Sequence, residues 1–162
     1  MPRTVHVAVV GAGSADAATL QLAENVGRLL ASAGALVVCG GLGGVMEAVC
    51  RGAKTAGGTT LGILPGLDRD EANAWVDVAI RTGFGEARNA LLVRAADVVI
   101  AIGGEYGTLS EIALALKTGK PVVGIETWEL AKKGVPASGI VRVSTAEDAV
   151  TRALGLARGE PA

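Results

Sequence analysis

Short aliphatic runs alternate along the chain with segments of helical period. The runs Val5–Val10, Ala35–Cys39, Thr59–Leu64, Val76–Ile80, Asp97–Ile102, Pro121–Ile125 and Ile140–Val143 predict strands. Between them, Leu22, Val26, Leu29 and Leu30 mark one face of a helix. Further helices are predicted over Val45–Ala56, Glu86–Ala95, Leu109–Lys117 and Thr145–Ala157. Strands that alternate with helices build βαβ units, so the expected fold class is α/β. It is a Rossmann-like, open, mainly parallel sheet of about seven strands with helices on both faces. One domain over residues 1–162 is expected, with 158–162 as a frayed tail.

Composition supports a sheet buried on both sides. Half the residues are apolar, yet only Trp75, Trp128, Tyr106 and Phe84 are aromatic. The core must then be built from Ala, Val, Ile and Leu, which suits parallel strands covered by helices. The formal net charge of −1 leaves no basic footprint for nucleic acid. No apolar run is long enough for a membrane span, and the expected location is the cytoplasm. Cys39 and Cys50 match neither a redox nor a zinc spacing, so no metal site is expected. No cofactor is expected to be required for folding. His6 lies inside an aliphatic run and reads as structural, which leaves a Ser-His-Asp mechanism without a base.

Glycine changes the picture. The chain holds 24, where average usage predicts about 11. Five predicted strands end in glycine-containing turns: Gly11-Ala-Gly13-Ser14, Gly40-Gly41-Leu-Gly43-Gly44, Pro65-Gly66, Gly83-Phe-Gly85 and Gly103-Gly104-Glu-Tyr-Gly107-Thr108. In a parallel sheet these turns share the C-terminal edge, where open α/β sheets bind ligands. Glycine admits close backbone approach, and the following helices aim N–H groups at that space. A phosphate-bearing small molecule is the expected partner. The segment Pro65–Ala74 reads as a polar connection on this functional edge. Two familiar phosphate motifs are absent. The first turn lacks the third glycine of the dinucleotide fingerprint, and no Walker A sequence occurs.

Two charged residues stand beside these turns. Arg88 falls among Phe84, Leu91, Leu92 and Ala95 on an apolar helix face, so it must either pair inside the core or reach the crevice to clamp a phosphate. Thr108-Leu-Ser-Glu111 is a capping-box pattern that would explain Thr108 and Glu111 without a ligand. A site role for Glu111 is compatible with it. The helix Leu109–Lys117 is apolar nearly all round and predicts a homo-oligomer, a dimer or tetramer that covers it.

These residues also carry a resemblance. Gly40-Gly41-Leu-Gly43-Gly44-Val-Met46 resembles the GG-x-x-G-x-M turn of the LONELY GUY-type proteins, long described as lysine decarboxylase-like. Gly103-Gly104-Glu-Tyr-Gly107-Thr108-Leu-Ser-Glu111 resembles their P-G-G-x-G-T-x-x-E motif. The molybdenum cofactor carrier-like branch resembles the chain nearly end to end, including Gly62-Ile-Leu-Pro65-Gly66, Thr82-Gly83 and Ala87-Arg88-Asn89. The resemblance implies a ligand site at Gly11, Gly13, Ser14, Gly40, Gly41, Gly43, Gly44, Met46, Arg88, Asn89, Gly103, Gly104, Gly107, Thr108 and Glu111. It implies a carrier of molybdenum cofactor or, alternatively, a phosphoribohydrolase that cleaves a nucleoside monophosphate, with Arg88 and Glu111 as catalytic residues. A nucleotide sensor is a third reading on the same fold. The chain departs from the hydrolase pattern at Gly103, which replaces a proline, at Glu105, which replaces a glycine, and at Asn89, which replaces a lysine.

Overall fold

The computed structural model describes residues 3–162. The first three strands are β1 (His6–Gly11), β2 (Leu36–Cys39) and β3 (Thr60–Leu64), joined through helices α1 (Ala17–Ser32) and α2 (Val45–Thr55). An irregular connection with a 3-10 turn at Arg69–Glu71 leads to β4 (Val78–Arg81). A second 3-10 turn, Gly85–Ala87, runs into α3 (Arg88–Arg94) and β5 (Val98–Ile102). Then follow α4 (Tyr106–Lys117), β6 (Val122–Ile125), a small hairpin of β7 (Ala131–Lys132) and β8 (Val135–Pro136), β9 (Ile140–Arg142) and α5 (Ala146–Ala157).

Seven strands form one sheet in the order β4-β3-β2-β1-β5-β6-β9, and every pairing is parallel. The two central strands carry aliphatic side chains on both faces. Val7 and Val9 belong to the cluster packed by α1, α2 and α5, whereas Ala8 and Val10 belong to the one packed by α3 and α4. All of β5 is buried. The largest fully buried side chains are Leu, Ile and Val, and none is aromatic. The aromatic residues sit at the periphery, with Phe84 62% and Tyr106 77% exposed.

Helices α1 and α2 approach closely enough for their backbones to touch. A Cβ at Gly27 would overlap the Val49 carbonyl, and one at Gly52 would overlap the Glu24 carbonyl. Arg51 reinforces the crossing by donating from Nε and Nη2 to Glu24 at 3.0 and 2.9 Å. Asp16 caps α1 by accepting from the Thr19 N–H, and Thr145 caps α5 by accepting from the Asp148 N–H.

Several expected boundaries move. The fourth strand begins at Val78 rather than Val76, and the hairpin β7–β8 has no counterpart among the predicted elements. Helix α4 begins at Tyr106, three residues before the expected Leu109. The expected helix over Glu86–Ala95 divides into a 3-10 turn and α3. At the C-terminus, the Arg158 and Glu160 N–H groups donate to the Gly155 carbonyl, and the Gly159 N–H donates to the Leu156 carbonyl. Among the described residues, no helix is long and apolar enough to cross a membrane.

Candidate functional site

The chain leaves β1 toward β2 on one side, and β5 returns on the other. This reversal opens a crevice between the C-terminal ends of β1 and β5, the ligand position of open α/β sheets. A cavity of about 270 Å³ lies there. Gly11, Ala12, Gly13, Leu42, Met46, Arg88, Asn89, Glu105, Gly107, Thr108 and Glu111 line it. Larger spaces exist elsewhere, including one of about 490 Å³ at the opposite edge beside Arg3 and Arg158, but the glycine loops do not reach that edge.

Eight of the residues expected at the site line the crevice together: Gly11, Gly13, Met46, Arg88, Asn89, Gly107, Thr108 and Glu111. Ser14, Gly40, Gly41, Gly43, Gly44, Gly103 and Gly104 lie outside its lining. Two of these have clear supporting roles. Gly40 makes room for Arg88, because a Cβ there would stand 2.7 Å from the guanidinium Nη2 and 2.7 Å from the Met46 Sδ. Gly44 has φ +64°, and its Cβ would strike the backbone of Ala12 and Gly13, so the first two turns are in direct contact. Ala12 and Leu42 also line the cavity, as does Glu105, the residue that replaces a glycine of the hydrolase pattern. Ala12 and Leu42 are side-chain-bearing members of the glycine loops, and that membership was their available signal.

Arg88 opens α3 and is 8% exposed. Its Nε donates to the Ile63 carbonyl at 2.9 Å, and Nη1 donates to the Asn89 Oδ1. Nη1 also lies 4.0 Å from the Glu111 Oε1. The amide of Asn89 is in turn held by donation to the Ser110 Oγ at 3.0 Å. The guanidinium is therefore fixed at the crevice floor rather than free to swing. Its expected setting holds for Leu92 but needs correction for Phe84 and Leu91, which are exposed; Arg88, Asn89, Leu92 and Val93 are the buried residues of α3.

Glu111 is 6% exposed and lies within α4. The capping-box reading of Thr108 and Glu111 is overturned. The N-cap is Glu105, which makes no side-chain cap, and Thr108 is already inside the first turn. Leu109 makes the first bond to Glu105, so the preceding amides of Tyr106, Gly107 and Thr108 have no intrahelical acceptor. Burial pushes the Glu111 carboxyl up from 4.5 to about 7, and the Arg88 charge opposes that rise. The fold thus favours the protonated acid. That preference is fully present below the ordinary range near 4.5 and is lost as pH rises through about 7. A rise of this size corresponds to roughly 3 kcal/mol. Glu111→Gln is expected to melt above wild type at pH 8, with the difference closing at pH 5. Equal differences at both pH values in thermal melts would contradict the assignment.

Helix α4 is not buried all round. Thr108, Glu111, Ile112 and Ala115 face inward, and Ala113 is exposed. Cys39 faces the α1–α2 side, not the crevice. Its Sγ lies 3.4 Å from that of Cys50 and accepts the Gly41 N–H at 3.3 Å. The Cys50 hydrogen bond holds the Cys39 thiol below its ordinary range, against the effect of burial. His6 lies at the start of β1, with Nδ1 3.2 Å from the Ala95 carbonyl, remote from the glycine turns.

The sequence model of the SLOG cluster4 family matches residues 4–150. The chain belongs to the SLOG cluster4 family. This SLOG cluster4 chain is similar to the molybdenum cofactor binding protein of Rippkaea orientalis, at 36% identity and a TM-score of 0.86, over 95% of this chain and 98% of that one. It is similar to the molybdenum cofactor carrier protein of Chlamydomonas reinhardtii at 34% identity and a TM-score of 0.82, with the same coverage. A curated relative, the cytokinin riboside 5′-monophosphate phosphoribohydrolase of Mycobacterium tuberculosis, is 34% identical over 132 residues, which cover 75% of this chain and 71% of that protein. The SLOG cluster4 assignment agrees with the seven-stranded parallel sheet and the resemblance carried by its glycine turns.

Proposed function

We propose that this protein binds the molybdenum cofactor, a phosphorylated pterin, in the crevice between β1 and β5 and acts as its carrier. The observation that carries this reading is the nearly full-length similarity to molybdenum cofactor binding and carrier proteins. The crevice supplies matching chemistry. The backbone of the glycine turns and the first amides of α4 offer donors to a phosphate, and Arg88 adds a fixed positive charge. The metal is part of the cargo and is held by the cofactor's own dithiolene, so the protein's task is to hold the phosphate and shield the rest. The protein works in the cytoplasm and needs no cofactor to fold.

The active form is a homo-oligomer. Between α3 and α4 runs a groove of about 610 Å³ lined by Ala87, Ala90, Tyr106 and Leu114 among others, and a second copy would cover it.

Anaerobic mixing of the pure protein with cofactor released from a denatured molybdoenzyme tests the reading. Molybdenum and pterin should elute together with the protein on gel filtration, near one of each per protomer. Elution of the cofactor separately from the protein would remove the carrier function.

A second reading is favoured by one specific arrangement. A buried carboxyl near neutrality beside a guanidinium is suited to N-glycosidic cleavage, where it would stabilise an oxocarbenium-like state or activate water. Release of adenine and ribose 5-phosphate from AMP, abolished in Glu111→Ala, would establish this activity in place of pure carriage.

A further inference from the structure

Each main glycine loop is clamped from outside the crevice by a segment that follows a neighbouring strand. On one side, Asn73 in the connection before β4 reaches the loop after β2, more than 30 residues away. Its backbone N–H donates to the Gly41 carbonyl at 2.8 Å, and its Nδ2 donates to the Leu42 carbonyl at 2.9 Å and the Gly41 carbonyl at 3.3 Å. The Asn73 Oδ1 accepts the Trp75 N–H at 3.0 Å, which orients the amide with its donor end toward the loop. On the other side, the segment after β6 holds the loop after β5. The Thr127 Oγ1 donates to the Gly103 carbonyl at 2.6 Å, and the Trp128 Nε1 donates to the Glu105 carbonyl at 3.2 Å. Just before them Glu126 has φ +47°, a left-handed conformation that a glutamate adopts only when its surroundings impose it.

The common feature is the group being held. All four acceptors are backbone carbonyls of the loops: those of Gly41, Leu42 and Gly103, and that of Glu105, which also accepts the Leu109 N–H at the start of α4. A carbonyl oxygen turned toward a bound phosphate would repel it, whereas a loop whose carbonyls are tied back presents its N–H groups. Neither brace lines the cavity. We propose that Asn73, Thr127 and Trp128 are positioning residues, which tie the carbonyls of the two glycine loops away from the crevice and so tune it for a phosphate monoester. The proposal rests on the phosphate-binding reading above and assigns it three residues that do not touch the ligand.

Asn73→Ala, Thr127→Val, Thr127→Ser and Trp128→Phe test it. The phenylalanine keeps an aromatic ring but loses the N–H donor together with the fused five-membered ring, so Thr127→Val, which exchanges one hydroxyl for a methyl, is the cleaner removal of a donor. Two quantities are measured on each full-length variant: affinity for inorganic phosphate, and retention of molybdenum cofactor on gel filtration. Thr127→Val and Trp128→Phe should each weaken phosphate binding about tenfold, the scale of one lost hydrogen bond to a preorganised loop, and Asn73→Ala, which loses three side-chain hydrogen bonds, at least as much. Cofactor retention should fall in parallel, and Thr127→Ser should restore both. Should Asn73→Ala fail to fold, Thr127→Val and Trp128→Phe decide the matter. Folded variants that bind phosphate as wild type does would overturn the positioning role. So would a Thr127→Ser no better than Thr127→Val. Wild type that binds neither phosphate nor cofactor would remove the phosphate site itself, and the positioning residues with it.

Discussion

Gly52→Ala is expected to lower the melting temperature by about 10 °C, although alanine is the better helix former. Propensity alone predicts a gain of about 1 kcal/mol for replacing a mid-helix glycine. The crossing of α1 and α2 reverses the sign. The added methyl would lie inside the Glu24 carbonyl, and a backbone atom cannot rotate away as a side chain can. The helices must separate, and the Val26, Val49, Ala53 layer between strands and helices loses its packing. Overpacking of this kind costs about 3 kcal/mol, which in a domain of this length is close to the stated shift. Gly107→Ala is the matched control for stability. It is also a helical glycine, but nothing lies within 4 Å of its missing Cβ. A calorimetric scan in which Gly52→Ala melts at or above wild type would show that the close crossing is dispensable.

The second large effect is on binding. Arg88→Met should weaken phosphate affinity about 100-fold and strip the cofactor on gel filtration. Loss of a buried charged donor to a charged acceptor is commonly worth 2–5 kcal/mol, or roughly 30-fold upward. Arg88→Lys should recover little of it. The guanidinium satisfies Ile63 and Asn89 at the same time, from Nε and Nη1, while Nη2 lies over Gly40. One ammonium group cannot reproduce that fork. Both variants should still fold, although Glu111 loses its nearby cation and is expected to become more fully protonated. Isothermal titration with phosphate provides the measurement. An Arg88→Met protein with wild-type affinity would place the phosphate elsewhere.

Much of this fold is written locally. Strands buried on both faces must be aliphatic throughout, so Val98–Ile102 is legible without any knowledge of its neighbours. The glycine turns after β1, β2, β3 and β5 are legible too, because each follows such a run, whereas the turn at Gly83 follows the exposed edge strand β4. What local reading misses has identifiable causes. Residues 85–87 are a 3-10 turn, so an α-helical period does not run through them from Phe84 to Arg88. The phase slips there, and Phe84 points to solvent. Arg88 lines the crevice with Leu92 buried beside it in α3, and without Phe84 or Leu91. Thr-x-x-Glu is a capping signal in other settings, but α4 starts at Tyr106, ahead of Thr108. Here Thr108 is buried against Gly104, whose missing Cβ would meet its side chain. Asn73 had no sequence signal at all, since its partners lie more than 30 residues upstream.

The absence of aromatic residues from the core has an optical consequence. Trp75 and Trp128 are the only tryptophans, and neither is part of the buried aliphatic clusters. Trp75 gives its backbone N–H to Asn73, and Trp128 gives its indole N–H to Glu105. Each chromophore is therefore one hydrogen bond from the brace of a different glycine loop. Intrinsic emission in this molecule reports the braces of the two loops, with Trp128 also resting against the aliphatic cluster under α3 and α4. With Trp75 replaced by phenylalanine, the remaining signal belongs to the loop after β5 alone, and loop movement on ligand entry becomes visible without an attached dye.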